Sequence, residues 1–321
     1  MPDQINSRLN LAHLPTPLLE VKFKKHRFII KRDDLTGLEL SGNKARKLDY
    51  LMFEASKQKA DVVFTSGGLQ SNHARATAFA ASMCGIKSKL FLWGRKPALP
   101  EANLFMNSFI GADITFINKE QFLNNYELML TEAGKYQKRT GKKVYVIPEG
   151  GSSATGVPGY INFIEEVSEQ INLNNLSGVL TAAGSGGTAA GMLIGAALMD
   201  IDIKIYAVNV LYSKEVLEAK VRAIVDSAVK KFKYIIDDPL KRLVILGGYS
   251  AEGYKKIKSD KIKLIKDFAV ETGIILDPVY TGKAFNAYYK ELKCDPEVLF
   301  LHTGGLFGVF DKRAEYLGLR K

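Results

Sequence analysis

The chain has 321 residues, 46% of them hydrophobic, and 45 Lys and Arg against 34 Asp and Glu give a net charge of +11. No apolar run is long enough to span a bilayer, and two cysteines, Cys84 and Cys294, are too few for a disulfide scaffold and sit in no metal-ligand pattern. The basic surplus is spread over residues 22–31, 230–241 and 255–266 without interleaved aromatics, which reads as solvated helix faces and not as a nucleic-acid or membrane surface.

Taken in order, the chain opens on Met1-Pro2-Asp3-Gln4-Ile5-Asn6, with no basic stretch leading into an apolar core. No secretory signal is read there, and the cytoplasm is the expected compartment. Leu14-Pro15-Thr16-Pro17-Leu18 is an extended entry, and Phe28 to Arg32 a short strand. Ser41-Gly42-Asn43 is a turn handing over to a helix, in which Ala45, Leu48, Leu51, Met52 and Ala55 recur at helical spacing. Strands at 62–65, 89–93, 114–117 and 144–147 then alternate with helices, the last an amphipathic one marked by Phe122, Tyr126, Met129, Leu130 and Ala133. Pro148-Glu149-Gly150-Gly151-Ser152-Ser153 is a hinge-like crossing. A second α/β run follows, with strands at 179–183, 203–208, 244–246 and 299–301 and long helices at 214–231 and 253–272. The alternation predicts an α/β fold of two domains, each an open twisted mostly parallel sheet flanked by helices. The smaller domain is expected at 50–155, the larger from 1–49 with 156–321.

Four stretches carry chemistry. Lys44 stands at a helix start, where unpaired N–H groups and partial burial favour the neutral amine, the form that attacks a carbonyl carbon to give a Schiff base. Gly184-Ser185-Gly186-Gly187-Thr188 joins a strand to a helix, as a phosphate cradle does. Gly184-x-Gly186-x-x-Ala189 also loosely fits a dinucleotide site, but the next strand ends Ala207-Val208-Asn209-Val210 with no acidic residue for a ribose. Ser71-Asn72-His73 offers helix-capping donors that attract an anion, and Leu301-His302-Thr303-Gly304-Gly305 ends a strand with a hydroxyl at the sheet's carboxyl edge.

Together with Asp33-Asp34-Leu35 and Asp277-Pro278-Val279-Tyr280-Thr281-Gly282-Lys283, these stretches resemble the pyridoxal-phosphate (PLP) enzymes of fold type II, the tryptophan synthase β-like family. Within it they look most like the branch of 1-aminocyclopropane-1-carboxylate (ACC) deaminase and D-cysteine desulfhydrase. The resemblance implies Lys44 as the catalytic, cofactor-bearing lysine, Lys47 and Gly184 to Thr188 (Gly184, Ser185, Gly186, Gly187, Thr188) on the phosphate, Asn72 on the ring oxygen and Thr303 at the ring nitrogen. It places Ser71, Asn72, His73 and Thr281 around the substrate, with Ser71 also a proton-transfer partner, and Tyr280 and Tyr254 as active-site tyrosines. No metal is implied, and the family suggests a homodimer acting on a small amino acid.

ACC deaminases place Glu after the catalytic tyrosine and Leu at the ring-nitrogen position, where this chain has Thr281 and Thr303. A hydroxyl makes the ring a weaker electron sink, adequate for departure of a thiolate but not for opening a cyclopropane. The expected activity is therefore β-elimination of D-cysteine to pyruvate, hydrogen sulfide and ammonia. The alternatives are ACC deamination, elimination from another β-substituted amino acid such as cysteate, and a degenerate PLP- or nucleotide-binding protein without catalysis.

Overall fold

The computed structural model describes residues 7–250 and 259–318. Two sheets organise the molecule. The first has the order β1-β2-β10-β7-β8-β9, built from β1 (Leu18–Phe23), β2 (His26–Lys31), β7 (Gly178–Ala183), β8 (Lys204–Asn209), β9 (Leu243–Leu246) and β10 (Val298–Leu301). All its neighbours are parallel except the β1/β2 hairpin, where Leu18 faces Lys31 and Phe23 faces His26. The second is wholly parallel, in the order β5-β4-β3-β6, from β3 (Val62–Gly68), β4 (Lys87–Trp93), β5 (Asp113–Ile117) and β6 (Val144–Val146). Every residue of the interior strands β3 and β7 is buried, which is why they read as unbroken apolar or small-residue runs. β1 was not expected beyond Leu18; its Leu-Leu-Glu-Val-Lys-Phe places charges on the outer face of an edge strand, which blunts edge-to-edge pairing.

Helices cover both sheets. α6 (Pro158–Gln170), α7 (Gly187–Leu198) and α8 (Lys214–Phe232) share one apolar core with β7 and β8, including Ile161, Ile164, Leu193 and Val221. On the other face Phe23, Phe28, Phe268, Phe285, Tyr288 and Phe300 form an aromatic core with α9 (Ser259–Thr272) and α10 (Thr281–Lys290). Phe268 and Phe285 are the closest pair, with ring centroids 4.4 Å apart. The amphipathic stretch expected as one helix is two, α4 (Lys119–Leu123) and α5 (Asn125–Thr140), broken at Asn124. Asn125 causes the break: its amide donates to the Phe122 carbonyl at 2.6 Å while its oxygen accepts from Ser66 of β3 at 2.8 Å.

α1 (Lys44–Lys57) ties the two sheets together. It packs against α2 (Asn72–Met83) on one side and α6 on the other, and runs unbroken across residue 50, where the sequence suggests a boundary. A buried polar cluster fixes it. The Arg46 guanidinium donates to both oxygens of Asp33, each at 2.8 Å, and to both of Glu166 at 2.8 and 2.9 Å. Lys31 reaches the same Glu166 at 2.5 Å, and Tyr160 donates to Asp33 at 2.6 Å. No helix among the described residues is long and apolar enough to cross a membrane.

Candidate active site

The N-terminus of α1 lies against the carboxyl end of β10 because two glycines allow the backbones to touch. Gly42 has φ +106°, and a Cβ there would stand 2.6 Å from the Thr303 carbonyl oxygen; one on Gly304 would stand 2.6 Å from the Gly42 Cα. The Asn43 N–H then donates to that Thr303 carbonyl at 3.1 Å. This crossing presents Lys44, the first residue of α1, to a cleft of about 670 Å³ between the two sheets. Its wall includes Lys44, Lys47, Ser71, Asn72, His73, Glu149, Gly184 to Thr188, Tyr280 and Thr303. Twelve of the expected site residues thus meet at one place, from segments more than 250 positions apart. A second cavity of about 580 Å³ adjoins it through Ser71, Glu149, Leu211 and Tyr280, and is walled further by Trp93, Phe122 and Tyr212.

No described residue hydrogen-bonds the Lys44 amine, and burial lowers its pKa from 10.5 to about 8, against an opposing pull from Glu149. Lys47, one turn on, is fully buried; among the described residues its ammonium reaches only the Gly150 carbonyl at 3.3 Å and the Ser152 hydroxyl at 3.4 Å. Burial, then the charge of Lys44, pushes its pKa well below the ordinary value.

The Gly-rich loop ends at Gly186, and the first turn of α7 follows, where the Gly187 N–H donates to the Ser152 hydroxyl at 3.3 Å. A Cβ on Gly187 would meet the Ser152 Oγ at 2.5 Å and the Lys47 Nζ at 3.0 Å. Ser152 also shares a 2.7 Å hydrogen bond with Ser185, and Thr188 accepts one from the Asn43 amide at 3.0 Å. Ser152 and Asn43 were not expected here. Ser152 sits in a stretch that reads only as a hinge, and spacing gives no sign that it meets a loop 33 positions later.

Ser71 caps α2, its oxygen accepting from the Ala74 N–H at 3.1 Å, which leaves the hydroxyl hydrogen free to donate. Asn72 is oriented by a relay outside the sequence expectation. Arg75 donates to the Asn103 oxygen at 2.7 Å, so the Asn103 amide donates to the Asn72 oxygen at 3.0 Å and leaves the Asn72 amide as a donor. The His73 Nε2 pairs with the Thr65 hydroxyl at 2.8 Å, and that hydroxyl donates to the Ile147 carbonyl. Nε2 therefore carries the hydrogen, and burial with Lys44 and Lys47 nearby keeps the ring neutral.

Thr281 is placed differently from expectation. It lines neither cavity; its hydroxyl donates to Asp277 Oδ1 at 2.8 Å and accepts from the Asp277 N–H at 2.7 Å. Asp277 also accepts from the N–H groups of Val279, Tyr280 and Thr281, closing the turn that aims Tyr280. Tyr254 lies outside the described residues. Among the described residues no cluster of His, Cys, Asp and Glu could hold a metal.

An aldehyde-ready amine beside a cationic, glycine-lined anion cradle is specific chemistry, and residues 9–304 match the family described as "Pyridoxal-phosphate dependent enzyme". The chain belongs to the pyridoxal-phosphate dependent enzymes. The sequence of this PLP enzyme is 38% identical over 309 residues to a putative ACC deaminase of Thermotoga maritima, covering 94% of this chain and 97% of that one. It is also 38% identical to the bifunctional D-cysteine desulfhydrase/ACC deaminase of Arabidopsis thaliana, covering 94% and 79%. The crystal structure of an ACC deaminase homologue superposes over the full length of both chains with a TM-score of 0.87 at 32% identity. The residues present fit PLP: the cradle a Gly187 Cβ would fill, the buried Lys47 with no carboxylate partner among the described residues, and the Lys44 amine, its pKa lowered to about 8, supply an anion site and a nucleophile in one cleft.

Proposed function

We propose that this PLP enzyme is a lyase that eliminates the β-thiol of D-cysteine, giving pyruvate, hydrogen sulfide and ammonia. The observation that carries the substrate choice is Thr303. It lines the same cleft as Lys44, and the resemblance assigns that position to the ring nitrogen. A hydroxyl does not enforce a protonated ring, so the site suits a substrate with a good leaving group.

The Thr188 amide and hydroxyl at the start of α7, the Gly187 N–H on turning from Ser152, and Lys47 would hold the phosphate, and Lys44 the aldehyde. When bound, PLP supplies the sink for electrons released at the substrate Cα. The Asn72 amide, held as a donor by Asn103, would meet the ring oxygen. Ser71 and the N–H groups opening α2 would hold the substrate carboxylate. Lys44 or Tyr280, which share the cleft, would take the Cα proton as the C–S bond breaks and hydrosulfide leaves. The three-carbon remainder is then hydrolysed to pyruvate and ammonia.

Exposed Phe105 and Phe109 on α3 (Ala102–Phe109) and Phe310 on α11 (Leu306–Asp311), helices that pack together, supply an apolar face for a homodimer. The cytoplasm, where a reduced thiol substrate persists, is the compartment proposed. Purified protein should release pyruvate and sulfide from D-cysteine, and Lys44→Ala should release neither. Faster 2-oxobutyrate release from ACC than pyruvate release from D-cysteine would overturn the substrate assignment.

A further inference from the structure

Glu149 is the one carboxylate among the described residues that lines either cavity, and it lines both. It stands on the short turn Glu149–Gly151 that leads to Ser152. The other carboxylates inside the protein are engaged: Asp33 and Glu166 by Arg46, Asp49 by the N–H groups of Leu11 and Ala12, Asp277 by its own turn. Among the described residues, no hydrogen bond or ion pair holds the Glu149 side chain. The cations whose fields reach it are Lys220 and Lys44. Lys220 is exposed on α8, with its ammonium 4.9 Å from the Tyr212 ring centre, and its field offsets part of the Glu149 charge. Lys44 ceases to be a separate ammonium once it bears the cofactor.

Among the described residues, the rest of the outer cavity has no charge to set against a ligand. Trp93 and Phe122 stack at 5.5 Å with rings 20° apart, and Leu211, Tyr212 and Tyr280 complete the wall. Gly68 and Ser71 connect it to the start of α2. An amino acid anchored there by its carboxylate and at Lys44 by its amine has the outer cavity as the space for its side chain.

From this we propose that Glu149 reads the charge of the substrate's β-substituent, excluding carboxylate, sulfonate and phosphate groups and admitting neutral or cationic ones. The inference rests on the site binding an amino acid, as proposed above, but not on that amino acid being D-cysteine. A like charge facing a carboxylate in an otherwise apolar wall costs affinity by about tenfold or more.

The test is calorimetric binding of D-alanine and D-aspartate to the cofactor-loaded wild type, Glu149→Gln and Lys220→Ala, alongside turnover of D-cysteine. Wild type should favour D-alanine by at least about tenfold. Glu149→Gln should shrink that preference about tenfold and Lys220→Ala should widen it. A preference equal in wild type and Glu149→Gln overturns the inference, as does failure of both ligands to bind wild type. Should Glu149→Gln not fold, an unwidened preference in Lys220→Ala overturns it. Loss of discrimination in Glu149→Gln by a protein that does not turn over D-cysteine sinks the proposed substrate and leaves the inference standing.

Discussion

The anchoring of α1 is open to a quantitative test through Glu166. Its carboxylate receives Arg46 at 2.8 and 2.9 Å and Lys31 at 2.5 Å, with 11% of the side chain exposed. Burial alone would raise its pKa, but the two cations win and hold it at about 2 against an ordinary 4.5. At about 1.4 kcal/mol for each tenfold in proton affinity, that depression contributes about 3 kcal/mol to stability. Removing one partner of a buried ion pair costs about 3–5 kcal/mol by a separate route, because the other charge is left unpaired. Glu166→Gln should therefore lower stability by about 3 kcal/mol at pH 7. With an unfolding entropy of about 2 cal/mol/K per residue, this is a fall of about 4–5 °C in Tm. A folded-state pKa below the unfolded one gives stability that is complete above pH 4.5 and is lost as pH falls toward 2. The wild-type advantage over Glu166→Gln should accordingly narrow across that window. Differential scanning calorimetry from pH 7 down to 3 checks both points. A Tm difference under 1 °C at pH 7, or one that grows on acidification, would refute the reasoning.

Other outcomes follow from the same geometry. Gly187→Ala places a methyl 2.5 Å from the Ser152 Oγ and 3.0 Å from the Lys47 Nζ, and should weaken PLP binding at least about tenfold in an equilibrium titration. Lys47→Met removes a buried ammonium held only by a carbonyl and a hydroxyl; the cofactor-free protein should gain Tm while PLP affinity falls, and a loss of Tm in the cofactor-free state would count against it. Cofactor-free wild type should become more stable relative to Lys44→Ala as pH rises from about 8 to 10.5. Over that range the unfolded chain holds a proton that the folded Lys44 has released, and a thermal-shift series reads the sign. Phe109→Asp should leave the fold intact, judged by circular dichroism, and shift a dimer toward monomer in size-exclusion chromatography with light scattering.

How far the molecule was legible depends on whether the determining physics is local. α1 was readable because its period, its preceding turn and Lys44 at its start lie within one short stretch, and the structure begins the helix at that residue. Buried strands β3 and β7 announce themselves by apolar continuity. The break between α4 and α5 was hidden because the hydroxyl that holds Asn125 belongs to Ser66, in another strand. β1 was hidden because its Glu and Lys belong to a sheet edge that only the topology reveals. Thr281 shows the limit most clearly. It follows Tyr280 directly, yet the first turn of a helix sends adjacent side chains about 100° apart, and Asp277 captures its hydroxyl. Adjacency to a site residue carries no direction. Ser152 and Asn103 fail the opposite way, being distant in sequence and adjacent in space.

Three internal carboxylates make the division between scaffold and site explicit. Glu166 is held at low pKa because Arg46 and Lys31 both face it, and its role is to fix the helix that presents Lys44. Asp277 is raised by burial in spite of four donors from its own turn, and its role is to fix Tyr280. Each is enclosed by the groups it orders, so neither has capacity left for a ligand. Glu149 is raised by burial as well, but its surroundings are two cavities and an aromatic wall in place of donors. A desolvated carboxylate without such partners costs the fold stability and returns none. Its place in the walls of both cavities sets its charge against any side chain that enters them, which is the basis of the selectivity proposed for it.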